Sequence, residues 1–479
     1  MIVEVLVVYL LLMVGIGIYE YRRTKGFLDY YIANRQLGAI LVSFSFFATY
    51  FSTAAFLGGG GYGFVAGFQW SAFLSFFHIL FAILSWFLIA PPLRRIAEKE
   101  GIVTIPELFA KKFGKFAQIV TALIIVTFFE LYMVSIYKGA GNLLEVMMGI
   151  DYITALLITA AVITIYTAIG GFRAVVMTDL IQGFIVFFGG VLLFVLLITS
   201  LGGFEAIENL KNAEIFGGMK GEALFEFGKL APQPIMASGM VIPFILSLTF
   251  AISIAQLASP QLIIRFVAAK NDRVIAHGMI LAPLLVGIFA ICVFSIGPFG
   301  WLVIPKYSDV SNFVKNPDLV VPFITMKLFP EGVNALLLTA IIAAAMSTIN
   351  SLVHVSATAL VRDIVQNFYK ISDKNVVRLT RLAVLLFALT PLIIAVKPFG
   401  VIVEIVGVSF SVITSAFLIP IVAALYSKKP NSKAAISSMI AATVTCILWQ
   451  LYFSKTYIYP VVPGLVVSAI VYLATTIKK

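Results

Sequence analysis

Apolar runs of about 20 residues, separated by short polar segments, recur along the whole chain. A run of that length crosses the hydrocarbon core of a bilayer as a helix rising 1.5 Å per residue. The pattern predicts thirteen membrane helices, at 2–20, 39–62, 70–92, 118–147, 152–172, 176–199, 238–260, 274–301, 333–361, 380–397, 401–426, 433–453 and 460–477. Most connections are short, and the longest, 200–237, contains Gly and Glu and is expected outside. The expected class is an all-α membrane protein without a soluble domain.

Two spans interrupt their own apolar pattern. The second runs Ser43-Phe-Ser-Phe-Phe-Ala-Thr-Tyr-Phe-Ser-Thr53 and then meets four glycines, Gly58 to Gly61. The seventh runs from Ser247 through Thr249, Ser253, Gln256 and Ser259 to Pro260. Glycines weaken a helix and free carbonyls that lipid tolerates only where they face protein, water or a ligand. Interrupted helices five spans apart predict two five-helix repeats, spans two to six and seven to eleven. An odd number of crossings per repeat inverts the second relative to the first. The chain then divides into a first helix with its loop (1–38), a first repeat (39–199), a loop (200–237), a second repeat (238–426) and two terminal helices (427–479).

The ninth span carries the clearest chemistry. Ala344, Ser347, Thr348 and Ser351 are spaced three and four residues apart, so they share one helical face. Small and hydroxyl-bearing residues there suit either close helix packing or an uncharged ion site. Ala48 to Ser52 and Ser347 both fall near the centres of their spans, at the depth where transporters hold coupling ions. Hydroxyls and freed carbonyls form a hard-oxygen set, suited to a small cation and not to zinc or copper.

Composition agrees: 61% of the 479 residues are hydrophobic and 11% charged. Of the 33 Lys and Arg, 24 fall on one side of the predicted topology and 8 on the other, with Lys138 inside a span. That bias puts the N-terminus outside and the C-terminus in the cytoplasm of a multi-pass cell-membrane protein. It explains the net charge of +11 through topological anchors, without nucleic acid. Glu4 stands where a signal peptide would carry basic residues, so the first span reads as a retained helix. Three histidines (His78, His277, His354) and two cysteines (Cys292, Cys446) are too scattered for a metal centre or a disulfide. Gly58, Gly60 and Gly63 satisfy G-x-G-x-x-G, but no strand precedes them, so no nucleotide fold is implied. No catalytic constellation is present. A channel would show charged rings or a repeated filter loop, and neither appears.

Three stretches identify a family by resemblance. They are Ala48-Thr-Tyr-Phe-Ser52 through Gly61, Tyr166-Thr-Ala-Ile-Gly-Gly-Phe-Arg173 through Thr178, Asp179 and Gln182, and Ala344-Ala-Met-Ser-Thr-Ile-Asn350. The chain resembles the sodium/solute symporter family over nearly its whole length, to about residue 470. Pro317-Asp-Leu-Val-Val-Pro322 and Tyr459-Pro-Val-Val-Pro463 look most like its pantothenate-transporter branch. The resemblance implies a leucine-transporter-like fold, alternating access and symport of a small solute with sodium. It implies a sodium site of the main-chain oxygens of Ala48, Phe51 and Ala344 and the hydroxyls of Ser52, Ser347 and Thr348. It places the helix break near 48–54, whereas the glycines place it at 58–61.

Other residues follow from the same likeness. Some relatives hold a second sodium between an aspartate and the hydroxyl face, here Asp179 with Ser347 and Ser351; Asn350 departs from that pattern. The alternatives for Asp179 are helix capping and an exit path. Tyr50 stands where proline carriers have an aspartate. The solute would meet Ala55, Gln69, Trp70, Ile252 and Gln256; on the seventh span Ile252, Ala255 and Gln256 differ from the residues of sugar carriers. A small organic anion is the expected solute, with pantothenate ahead of short monocarboxylates; an amino acid, a sugar or proton coupling are the alternatives. Lys138 reads as a snorkelling residue, Glu404 as interfacial and His354 as a packing histidine.

Overall fold

The computed structural model describes residues 2–24, 26–167, 171–397 and 400–477. Ala168 to Gly170, within the second family-like stretch, therefore lie outside the described residues. Helices account for all the regular structure among the described residues. Ten are long and apolar enough to cross a membrane, and three shorter apolar helices accompany them.

The helices that matter here are α1 (Ile2–Arg23), α2 (Ala39–Tyr50), α3 (Gly60–Leu84), α4 (Lys115–Met148), α5 (Tyr152–Thr167) and α6 (Phe172–Ser200). The second half comprises α7 (Val241–Ile254), α8 (Pro260–Ala268), α9 (Asp272–Phe294), α10 (Glu331–Thr358), α11 (Asp373–Ala395) and α12 (Ile402–Tyr426). Two more, α13 (Ser432–Tyr452) and α14 (Val461–Ile477), pack on each other and on α12.

Burial distinguishes core from periphery. In the apolar stretch of α10, 94% of positions are buried, against 22% in α1. α10 touches α1, α2, α4, α6 and α11. Small residues on it let those helices approach closely, so van der Waals contact supplies what the hydrophobic effect does not supply within lipid.

Both predicted interruptions exist; the first falls within 48–54, as the resemblance implies, and not at the glycines, and the second differs in detail from the sequence pattern. In the first, helical geometry is lost at Phe51 (φ −90°, ψ 102°), and the chain resumes at Thr53 into a wide π turn, Ala54–Gly59. The glycines are not the break. Gly59 and Gly60 have helical φ and ψ. Their lack of a side chain serves packing: a Cβ on Gly61 would strike the carbonyl of Pro317, and one on Gly59 the ring of Phe294.

The real turn between the predicted second and third spans is Gly67, at φ 68° and ψ −170°. A side chain there would be strained, and its Cβ would also meet Leu224 O. The second interruption lies at 255–259, and Pro260 begins α8 instead of ending the span. Proline suits the first helical turn because its missing N–H is unpaired there anyway. Arg265, which the predicted boundaries leave in the loop between spans 238–260 and 274–301, is therefore carried into the protein on α8, fully buried.

Candidate functional site

Breaking α2 at Phe51 releases the carbonyls of Ala48 and Thr49, which an unbroken helix would bond to residues 52 and 53. Hydroxyls of α10 meet them. Ser347 Oγ lies 2.8 Å from Ala48 O, and Thr348 Oγ1 lies 3.1 Å from Thr49 O and 3.5 Å from Ala48 O. Both hydroxyls also reach Ala344 O at 3.1 Å. Four of the six expected sodium ligands are thus brought together, all buried and uncharged. Phe51 and Ser52 sit on the break itself, but Ser52 Oγ accepts from Ala54 N at 3.1 Å and Tyr132 OH at 3.4 Å. It starts the next helical segment.

Beside the break lies a cavity of about 30 Å³ lined by Tyr50, Ser52, Ala55, His78, Tyr132 and Ile252, among others. The structure brings two expected solute residues, Ala55 and Ile252, to this cavity. Gln69 and Trp70 do not line it, and Gln256 stands at its edge beside the Tyr50 hydroxyl. Gln69 joins α3 to the long loop, donating to Leu230 O at 2.6 Å and accepting from Gly228 N at 2.9 Å. Trp70 Nε1 donates to Gly59 O, and Gln256 Nε2 donates to His78 O.

His78 was not singled out from the sequence, yet it lines the cavity with its Nδ1 2.7 Å from Ser253 Oγ. Tyr50 OH donates to Ile252 O at 3.2 Å and so bridges the two broken helices.

The profile of the sodium:solute symporter family matches residues 30–442. The chain belongs to that family. The osmoregulated proline transporter OpuE of Bacillus subtilis is 30% identical over 475 residues, 97% of this chain and 92% of that one. The sodium/pantothenate symporter of Haemophilus influenzae is 30% identical over 484 residues, 98% and 94% of the two chains. A substrate-bound sodium-coupled sialic acid symporter superposes with a TM-score of 0.81 at 21% identity, covering 99% of this chain and 97% of that one. The shared fold is leucine-transporter-like. This symporter is a secondary transporter and not an enzyme. Equal identity to proline and pantothenate carriers leaves the solute to be argued from the site.

Asp179 and Ser351 do come together, around a residue the sequence did not single out. Arg265 Nη2 lies 3.0 Å from Asp179 Oδ2, 2.6 Å from Thr49 Oγ1 and 2.5 Å from Ser351 Oγ. Its Nε donates to Ser45 Oγ at 3.1 Å and its Nη1 to Gln261 O. Arg265 and Asp179 are both fully buried. Proline at the seventh span's apparent end hid this arginine, although Pro at a first helical turn with Arg five residues on is a readable signal.

Lys138 also differs from expectation. It is buried instead of snorkelling, 2.8 Å from Asp318 Oδ2 and 2.8 Å from Gly400 O. Its partner comes from a connection 180 residues away, which local pattern does not reveal. His354 packs among Tyr30, Tyr31 and Phe172.

Proposed function

We propose that this symporter imports a small organic anion together with sodium by alternating access, with pantothenate first and short monocarboxylates next. The carrying observation is the meeting of Ser347 and Thr348 hydroxyls with the freed carbonyl of Ala48. Sodium would sit among Ala48, Ala344, Ser347 and Thr348, with Phe51 and Ser52 completing the shell. The two runs 39–199 and 238–426 would rock against each other. Basic loops would face the cytoplasm, with the N-terminus outside and the C-terminus inside.

Support for an anion comes from charge. The cavity has no carboxylate among its lining residues, and Tyr50 stands where proline carriers have an aspartate. Sodium at the break would add positive charge next to a solute carboxylate, and exposed helix-end N–H groups favour the same sign.

Ser347→Ala and Thr348→Ala should each raise the sodium concentration for half-maximal uptake. Losing one neutral oxygen from a desolvated cation costs on the order of 1–3 kcal/mol, by analogy with a charge-assisted hydrogen bond. That is roughly tenfold or more in affinity. Unchanged sodium dependence in both, at normal expression, would sink the assignment. The solute is tested by sodium-driven uptake of pantothenate, acetate, proline and glucose into proteoliposomes. Carriage of proline or glucose without competition by a carboxylate would overturn the anion reading and leave the symporter standing.

A further inference from the structure

One guanidinium nitrogen of Arg265 stands where an ion would. Nη2 has two hydrogens, yet three oxygens from three helices lie within 3.0 Å of it: Thr49 on α2, Asp179 on α6 and Ser351 on α10. A carboxylate and two hydroxyls around one positive centre is the hard-oxygen environment of a small cation. The remaining guanidinium donors fasten it in place through Ser45 Oγ and Gln261 O, and Phe172 lies under its carbon at 5.6 Å. Arginine is the side chain suited to this, since its planar fork holds several acceptors and keeps its charge when buried.

The cage shares its frame with the sodium site. Thr49 gives its carbonyl to Thr348 and its hydroxyl to Arg265. Ser347 and Ser351 lie one turn apart on α10, about 6 Å along the axis. Two mobile cations could otherwise occupy neighbouring turns of the same hydroxyl face.

We propose that Arg265 is a tethered cation holding the place of a second sodium, so that this chain binds one sodium per cycle. The inference rests on the sodium-symport reading above. It gives Asp179 a fixed partner and removes it from the set of sodium ligands. Without the guanidinium, both Asp179 oxygens, Thr49, Ser351 and Ser45 would face one another with an uncompensated charge. Asp179 Oδ1 already has no hydrogen-bond partner among the described residues.

The test counts bound radioactive sodium on purified full-length protein in nanodiscs. One site per chain is expected in the unaltered protein and in Arg265→Lys. Arg265→Met should show two, and Arg265→Met with Asp179→Asn should return to one. Asp179→Asn alone should retain one weaker site, while Ser347→Ala should weaken that site about tenfold. Two sites in the unaltered protein would overturn the proposal, whether or not the arginine variants fold. So would loss of the single site in Asp179→Asn with Ser347→Ala unaffected, or one site in a folded Arg265→Met. Complete absence of sodium binding in the unaltered protein would instead defeat the symport reading.

Discussion

Two buried ion pairs join the halves of this symporter, and they are built on opposite plans. Arg265 and Asp179 meet inside a cage of side-chain hydroxyls from Ser45, Thr49 and Ser351. Lys138 and Asp318 meet on backbone: the lysine also donates to Gly400 O, and the aspartate accepts from Ile402 N at the start of α12. A carboxylate at a helix N-terminus satisfies orphan N–H groups and the positive end of the dipole. The hydroxyl cage could take an ion in the arginine's place. The backbone pair holds the 317–319 turn against Gly61 and against the start of α12. It is a latch at one end of the bundle, while the arginine cage sits one turn from the proposed ion path.

The largest expected effect breaks the latch. Asp318→Ala removes the carboxylate that Lys138 Nζ donates to and leaves Glu404, beyond ion-pair distance, to balance the buried ammonium, which should cost up to about 3–5 kcal/mol of stability. Adding Lys138→Met to Asp318→Leu should recover most of that charge penalty, leaving the smaller cost of an uncapped Ile402 N–H. Thermal unfolding of the three proteins in detergent checks this. A double variant as unstable as Asp318→Ala would show that the charges themselves are not what matters there.

Asp179→Asn comes next and probes the cage. It keeps the shape but leaves the Arg265 charge beside the sodium site. A neighbouring unit charge at an effective dielectric near 20 is worth a few kcal/mol, so sodium affinity should fall roughly tenfold or more. Sodium titration of uptake measures it. An unchanged affinity would mean that the arginine's field does not reach the ion, and the contrast drawn between the two pairs would fail.

Gly61→Ala links the latch to the broken helix. Its Cβ would run into the carbonyl oxygen of Pro317, an overpacking cost of about 1–3 kcal/mol. Stability should fall while sodium affinity holds, because the ion site lies beyond the break. A loss of sodium affinity without a loss of stability would place the glycines, after all, at the ion.

How far the sequence discloses these regions depends on the range of the contacts. The hydroxyl face of α10 was legible because a spacing of three and four residues is a local property of a helix. The break was legible in position only through the resemblance, which put it near 48–54, because the glycine pattern points too far along the chain. Four glycines suggest weakness, yet at Gly59 and Gly61 the absent side chain makes room for Phe294 and Pro317. Arg265 was misplaced because a proline closing an apolar run reads as a stop, whereas here it starts a second half-helix. Lys138 and Gln69 find their partners through loops distant in sequence, in Asp318 and in Gly228 and Leu230. Such tertiary pairings leave no periodic trace.

The smallest expected effect separates the two plans most finely. Ser45 Oγ donates to Asp179 Oδ2 at 2.6 Å and accepts from Arg265 Nε at 3.1 Å. Ser45→Ala removes one strut of the cage but leaves the charges paired and Thr49 in place. The net cost of a typical intramolecular hydrogen bond is about 1 kcal/mol, so a small drop in unfolding stability is expected, with sodium dependence unchanged. The latch has no such expendable strut, since its supports are a peptide N–H and a peptide carbonyl. If Ser45→Ala proved as damaging as Asp318→Ala, the cage would be a cooperative network instead of a set of separable ligands. The cation at its centre would then be less exchangeable than its coordination suggests.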